Sequence, residues 1–371
     1  TLQEDKILQL QLPKAVAPGE NTKLHMTFDV IVPYANFRFG YQEFGPSKIT
    51  MSLGNWYPVL AVYDVGEWST QGPQAVGDWT YSDIADYHVS FTVPKGFTVA
   101  ASGVLKKSKI QGNKEVYQYH GERLRDFAAG ISNNYEISED MVSGIKILSY
   151  YHPQDKKGGF MALNIAKQAL GIYNKSFGNY PYPELRIAEA NYYCGGMEFP
   201  TLIMMDSGKY REAELYNTSF ERSLAHEVAH QWWYSVVGSD QVGEPWMDEA
   251  ITEFSTLYYF EQRYQTPGRG ASYERYVQNN LGIIHQSPRN MLDPLPKFRS
   301  RWDYFPVVYI NGALFYEDLR EHIGGEGFLS FLQSYFETYK YKNVKLVEFQ
   351  QFLREKQYEA LNEDFFEKWF R

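Results

Sequence analysis

A single cysteine, Cys194, stands in a chain of 371 residues. An internal disulfide is therefore excluded. No stretch approaches the 18 consecutive apolar residues that a membrane-spanning helix requires, so no span is expected. Basic residues are outnumbered: Lys+Arg total 36 against 45 Asp+Glu, a net charge of −9. With no basic patch interleaved with aromatics, a nucleic-acid partner is not expected. Internal repeats and low-complexity tracts are missing, which argues against solenoid arrays and disordered linkers. What remains is ordinary globular composition, 44% hydrophobic and 22% charged, long enough for two or three domains. Aromatics are plentiful at 17%, with 31 Tyr, and core filling is their default use.

Histidine is scarce, 8 in the whole chain, so two of them four residues apart stand out. They occur in His226-Glu227-Val228-Ala229-His230, and eighteen residues separate His230 from Glu249. On a helix, positions i and i+4 share a face, so both imidazoles can point at one metal ion. Glu227 sits about 100° round the same turn, where it reaches a water on the metal and not the metal itself. The spacing is that of H-E-x-x-H metallopeptidases. The pattern predicts a helix over 217–237, with Thr218 or Ser219 as cap and Gly238 as terminator. A second helix, over 247–264, carries Glu249 in its first turn. A carboxylate as third protein ligand leaves the fourth position open, the catalytic pattern. Glu253, one turn after Glu249, is placed to accept the outward N–H of a ligating histidine. With a metal supplying the nucleophile, Cys194 is set aside as inert.

The stretch from His226 to Ser255 resembles the gluzincin aminopeptidases of the alanyl aminopeptidase and leukotriene hydrolase type, and the chain is similar to a short, bacterial-type member. Three further segments carry the resemblance. Gly195-Gly196-Met197-Glu198-Phe199 is similar to the family's G-x-M-E-N motif. Tyr309-Ile310-Asn311-Gly312-Ala313 is similar to its Y-x-K-G-A segment. Trp56-Tyr57-Pro58 and Asp126-Phe127-Ala128-Ala129-Gly130 resemble marks of its N-terminal β-domain. Phe199 replaces the family's Asn and Asn311 replaces its Lys, departures that bear on substrate preference and rate. The resemblance implies one Zn2+ per chain, Glu198 as the anchor for a substrate's free amine, and Tyr309 as hydrogen-bond donor to the oxyanion. An N-domain Gln or Glu helps hold the same amine in that family, and Gln42 and Glu43 are the candidates here. It also implies that Thr1 opens within an incomplete N-terminal domain and that residues 365–371 end the catalytic domain. A short form, a processed form and a fragment all fit.

Period-two alternation at Lys23–Val30, Tyr87–Val93 and Glu115–His120 predicts strands. From about Gly159 to Phe177 the period becomes helical. Arg186–Ala190 and Leu202–Met205 read as short strands, and after Glu249 the pattern is almost all helix. Strands followed by helices give an α+β fold, with an antiparallel, saddle-like β-domain over 1–142 and a thermolysin-like catalytic domain over 143–371. The function expected is removal of N-terminal residues from peptides, with Glu227 as general base. Two other readings stay open: a zinc endopeptidase, and a non-catalytic peptide-binding scaffold. Low cysteine and high tyrosine favour an extracytoplasmic or secreted location.

Overall fold

The computed structural model describes every residue except 1–5, 193–194, 214–216, 266–280, 283, 285–286, 357, 359 and 371. Cys194 lies outside the described residues.

Alternating burial builds the first half. Its strands are β1 (Phe39–Glu43), β2 (Ile49–Leu53), β3 (Tyr63–Asp64), β4 (Glu67–Trp68), β5 (Ala85–Pro94), β6 (Thr98–Ala101), β7 (Val104–Gln111), β8 (Lys114–Leu124) and β9 (Ala129–Ser132). They form an antiparallel four-stranded sheet in the order β1-β2-β9-β6, a three-stranded sheet β5-β8-β7 and a small β3-β4 hairpin. In the three-stranded sheet Phe91 lies opposite Tyr117 and Val89 opposite Tyr119. The buried face of Phe91, Val93, Tyr117 and Tyr119 is the alternation visible in the sequence. Lys23–Val30 is different. It forms no strand, and Leu24, Met26, Phe28 and Val30 are all exposed. Alternation makes a strand only where a neighbour satisfies its backbone groups, and none among the described residues pairs with it.

The second half opens with a mixed five-stranded sheet. Its strands are β10 (Glu136–Val142), β11 (Ile145–Tyr151), β12 (Glu184–Ala190), β13 (Gly196–Met197) and β14 (Leu202–Asp206), in the order β10-β11-β12-β14-β13. The division drawn from the sequence after Val142 falls in the two-residue turn that joins β10 to β11 within this sheet. β11, β12 and β14 run parallel, and β12 and β14 are buried almost throughout, as parallel strands are. Helix α1 (Lys156–Ser176) makes the crossover between β11 and β12, burying Ala162, Ala166, Ala169, Leu170 and Tyr173 at helical spacing. β13 is a two-residue edge strand antiparallel to β14, and it delivers Glu198 at its end.

Short helix α2 (Ser207–Glu212) leads to α3 (Asn217–Ala229), and α4 (Trp246–Tyr264) follows a loop. Starting at Asn217, α3 takes Thr218 and Ser219 into its first turn. It also ends eight residues before the expected stop. Trp232 and Trp233 are both fully buried, and their indoles donate in different directions, to the Gly178 carbonyl at 2.9 Å and to Ser255 Oγ at 3.0 Å. A continued helix would set them only about 100° apart on one rod. The chain instead turns through Tyr234, whose φ of 147° is held by Arg125 Nε on its carbonyl, 2.8 Å away. Tyr173 ties the layers together, its hydroxyl 3.1 Å from both the Ala225 and the Ser255 carbonyl. Beyond α4 the described chain is helical, over Arg301–Phe305, a π turn Pro306–Ile310, Asn311–Ile323, Gly325–Tyr339, Leu346–Glu355 and Glu363–Phe370. Phe315, Phe349 and Trp246 lead the aromatic core beneath it.

Candidate metal centre and active site

His226 comes from the last turn of α3. His230 stands one residue beyond that helix, its N–H still 3.2 Å from the His226 carbonyl. Glu249 comes from the first turn of α4. Their donor atoms form a nearly equilateral triangle: His226 Nε2 to His230 Nε2 3.2 Å, His226 Nε2 to Glu249 Oε2 3.2 Å, and His230 Nε2 to the same oxygen 3.3 Å. Tetrahedral bonds of about 2.0–2.1 Å place ligand atoms about 3.3–3.4 Å apart, so the triangle has the size zinc requires. The side chains of His230 and Glu249 are 2% and 4% exposed, that of His226 13%. The opening is thus on the His226 side.

The outward nitrogens are occupied in the manner of metal-ligating histidines. His230 Nδ1–H donates to the Trp233 carbonyl at 2.9 Å, with Thr252 Oγ1 at 3.2 Å. That carbonyl is available because α3 has already ended. His226 Nδ1 faces Glu253 Oε2 and Thr256 Oγ1, each at 3.3 Å, and Arg222 pairs with the other Glu253 oxygen. Glu253 Oε2 thus lies within ion-pair distance of His226 Nδ1. Arg222, Thr252 and Thr256 were missed, although 249, 252, 253 and 256 share one face of α4.

Buried acids crowd the two histidines. Glu198, Glu227, Asp248, Glu249 and Glu253 are all buried. Burial pushes Glu249 up, but the two histidines outweigh it and hold the carboxyl well below the usual range. Burial pushes His226 down, and Glu249 and Glu253 reverse this and raise it to about 9. His230 is raised well above its ordinary value against the same burial, with Glu198 and Glu249 as the causes. A divalent ion held by these donors would be stabilised by the same carboxylates.

Glu227 lies beside the triangle and is not one of its three donors. Its carboxylate lies over the backbone of β13, so that a Cβ at Gly196 would stand 2.6 Å from Oε1 and 2.7 Å from Cγ. Donor atoms of Glu227, Glu198 and His230 all fall within 4.8 Å of one another. Burial, before any charge, raises both Glu227 and Glu198. Among the described residues Glu198 Oε1 is buried with no hydrogen-bond partner, which is costly unless a ligand supplies one. The largest charge acting on Glu198 is that of Asp78, from the segment before β5, itself ion-paired with Arg38. Sequence reasoning missed Asp78 and looked to Gln42 and Glu43. These lie on β1, with Glu43 exposed.

Tyr309 occupies the π turn, its ring stacked 5.8 Å from that of His226. Its hydroxyl donates to Glu249 Oε1, the oxygen turned away from the histidines. Phe199 is 1% exposed and packs against Gly54, where a Cβ would lie 2.3 Å from its Cζ. Gln231 Nε2 reaches the Phe199 and Glu198 carbonyls at 3.2 and 3.4 Å.

Residues 161–369 match the peptidase family M1 domain, more than half of the chain. Aminopeptidase M1-B of Oryza sativa subsp. japonica is 21% identical over 273 residues, covering 70% of this chain and 31% of its own length. Endoplasmic reticulum aminopeptidase 1 of Homo sapiens is 25% identical over 227 residues, 58% of this chain and 24% of its own. The crystal structure of an M1 zinc metallopeptidase from Deinococcus radiodurans superimposes with a TM-score of 0.62 at 19% identity, over 78% of this chain and 64% of that one. The chain thus spans about a quarter to a third of these curated relatives and under two thirds of that structure. The matched stretch contains Glu198, His226, Glu227, His230, Glu249 and Tyr309, and by that match the chain belongs to peptidase family M1.

Proposed function

We propose that the chain is a zinc-dependent aminopeptidase acting on peptides with a free N-terminus. The observation that carries this reading is the pairing of the donor triangle with the buried oxygen of Glu198, which has no partner among the described residues. His226, His230 and Glu249 would hold the ion. A zinc ion in such a site acidifies a water and polarises a carbonyl. Glu227, raised by burial and 4.8 Å or less from its neighbours, takes the proton of the attacking water and returns it to the leaving amine. A substrate's ammonium group docks on Glu198, a charge-assisted bond in a dry site, with the Asp78 charge behind it. Docking there fixes the distance from the N-terminus to the first peptide bond, which is what makes cleavage terminal. Tyr309 turns its hydroxyl from Glu249 Oε1 to the developing oxyanion. An endopeptidase would have no use for a buried amine acceptor, and a scaffold no use for Glu227.

The test is hydrolysis of aminoacyl fluorogenic amides, each with a free and an N-acetylated amine, with and without a zinc chelator. Chelator-sensitive cleavage of the free-amine set alone is expected, abolished by Glu227→Gln. Equal cleavage of both sets overturns the exopeptidase reading, and activity surviving Glu227→Gln overturns the mechanism.

A further inference from the structure

Away from the metal centre, a cavity of about 320 Å³ opens between the edge of the three-stranded sheet, the Pro181–Glu184 connector and Tyr341. Such a volume lies at the small end of ligand pockets. Val104, Leu124, Tyr182 and Tyr341 give its lining apolar and aromatic surface. Lys106, His120 and Arg123 line it as well. Two acidic groups also line it. Glu184 is paired with Arg186, which donates as well to the Gly103 carbonyl. Setting that pair aside leaves Lys106, Arg123 and Glu122, a net positive lining in a chain of charge −9.

The backbone around this cavity is unusual. Nine non-glycine residues among those described have positive φ, and three of them line it: Arg123 at 53°, Thr201 at 62° and Tyr341 at 64°. Side chains disfavour that region, and such residues persist where surrounding bonds over-determine them. Here the bonds are present. Arg123 N–H donates to Asp86 Oδ1 and its carbonyl accepts from Tyr182, both at 2.8 Å. Thr201 N–H donates to Gln231 Oε1 at 2.8 Å, and its hydroxyl accepts from Gly103 N–H at 2.6 Å. Tyr341 N–H donates to the Val236 carbonyl at 2.8 Å. The strained turns bring the Arg123 guanidinium over the Tyr341 ring, 5.2 Å from its centre. A planar cation and an aromatic ring thus stand together in the lining of a cleft of mixed polarity.

We infer that this cavity binds a small organic anion, a carboxylate carried on a single flat apolar ring, with Arg123 and Lys106 taking the charge and Tyr182 and Tyr341 the ring. Guanidinium and carboxylate match in a two-pronged geometry, and the ring extends the stack already present. The site is separate from the metal centre and its existence does not depend on the proposed reaction.

Benzoate is the probe and benzamide its neutral isostere. Each is titrated calorimetrically into the zinc-loaded protein with the metal centre blocked by excess peptide hydroxamate. Benzoate is expected to bind once per chain, with benzamide at least about tenfold weaker. Lys106→Gln, on an exposed edge strand, and Arg123→Gly, which suits the positive φ, are each expected to weaken benzoate about tenfold without changing Tm. A loss of affinity in either variant supports the site. Absence of saturable benzoate binding, equal binding of benzamide, or unchanged affinity in both variants overturns it.

Discussion

Gly54→Ala tests whether the proposed amine anchor is held in place by packing against the N-terminal sheet. Gly54 has an ordinary backbone conformation, so alanine meets no strain of its own. The added Cβ would stand 2.3 Å from Phe199 Cζ and 3.1 Å from both Phe199 Cε1 and the Arg38 carbonyl oxygen. Carbon atoms rest about 3.5–4.0 Å apart, so the ring and the Gly54 loop must separate by about 1.2–1.7 Å. Phe199 is 1% exposed and cannot swing into solvent, while Gln231 holds its carbonyl and that of Glu198. The displacement therefore passes to Glu198. A misplacement of about 1 Å costs on the order of 10² in rate, or about 2.7 kcal/mol at 1.36 kcal/mol per decade. The overpacking itself destabilises the fold by about 1–3 kcal/mol. The assay is kcat/KM on a free-amine aminoacyl amide, with Tm measured alongside. Phe199→Leu added to Gly54→Ala removes the clashing ring atoms and is expected to restore most of the loss. The reasoning is refuted if Gly54→Ala stays within about threefold of the parent, or if the double variant has parental Tm and no recovered activity.

Gly196→Ala puts a Cβ 2.6 Å from Glu227 Oε1, and kcat is expected to fall by about 10²–10⁴, the usual worth of a positioned general base, with zinc content unchanged by metal analysis. Glu253→Ala removes the acceptor of His226 Nδ1 and is expected to weaken zinc about 10–100-fold in a chelator competition. Arg222→Ala, which releases the other Glu253 oxygen, should move the same measurement in the same direction. Asp155 sits in a separate buried cluster with His152 and Glu189, where burial first and Glu189 second raise its pKa to about 7. A raised acid binds its proton more tightly when folded, so its stabilising proton is kept at low pH and lost as pH rises from about 4 through about 7. The Tm of Asp155→Asn relative to the parent should therefore be higher at pH 8 than at pH 5, and a pH-independent difference would refute this.

The candidate ligands were legible because a helix imposes its own arithmetic. Four residues make a little over one turn, so His226 and His230 had to share a face, and Glu253 and Glu249 likewise. The same arithmetic placed α1 and α4 within a few residues of their observed limits, and alternation placed β5 and β8. It failed at Lys23–Val30, because alternation describes two faces of a strand and says nothing about whether a neighbour exists to pair with it. Gln42 and Glu43 were named from position alone, and Asp78 was missed for a related reason. Nearness in space to Glu198 is set by how the segment before β5 folds back, and Asp78 carries no local pattern that would mark it. Gly54 was equally silent, since its role depends on a ring 145 positions away in the sequence.

Three of the candidate site residues share a setting that helix arithmetic does not supply. They stand where regular structure stops. His230 lies just past the end of α3, and only because that helix ends is the Trp233 carbonyl free to accept its Nδ1–H. Tyr309 rides a π turn, where Asn311 N–H reaches back five residues to the Pro306 carbonyl and the side chains are rotated from helical phase. Glu198 follows a strand two residues long. Regular helix supplies the spacing of the donor triangle, and the breaks supply what surrounds it. An uninterrupted helix over 217–237 would keep His226 and His230 on one face while closing the carbonyl that fixes the His230 ring, leaving a buried imidazole N–H unsatisfied at a cost of about 1–3 kcal/mol. The early end of α3 is therefore part of the site, as much as the histidines it separates.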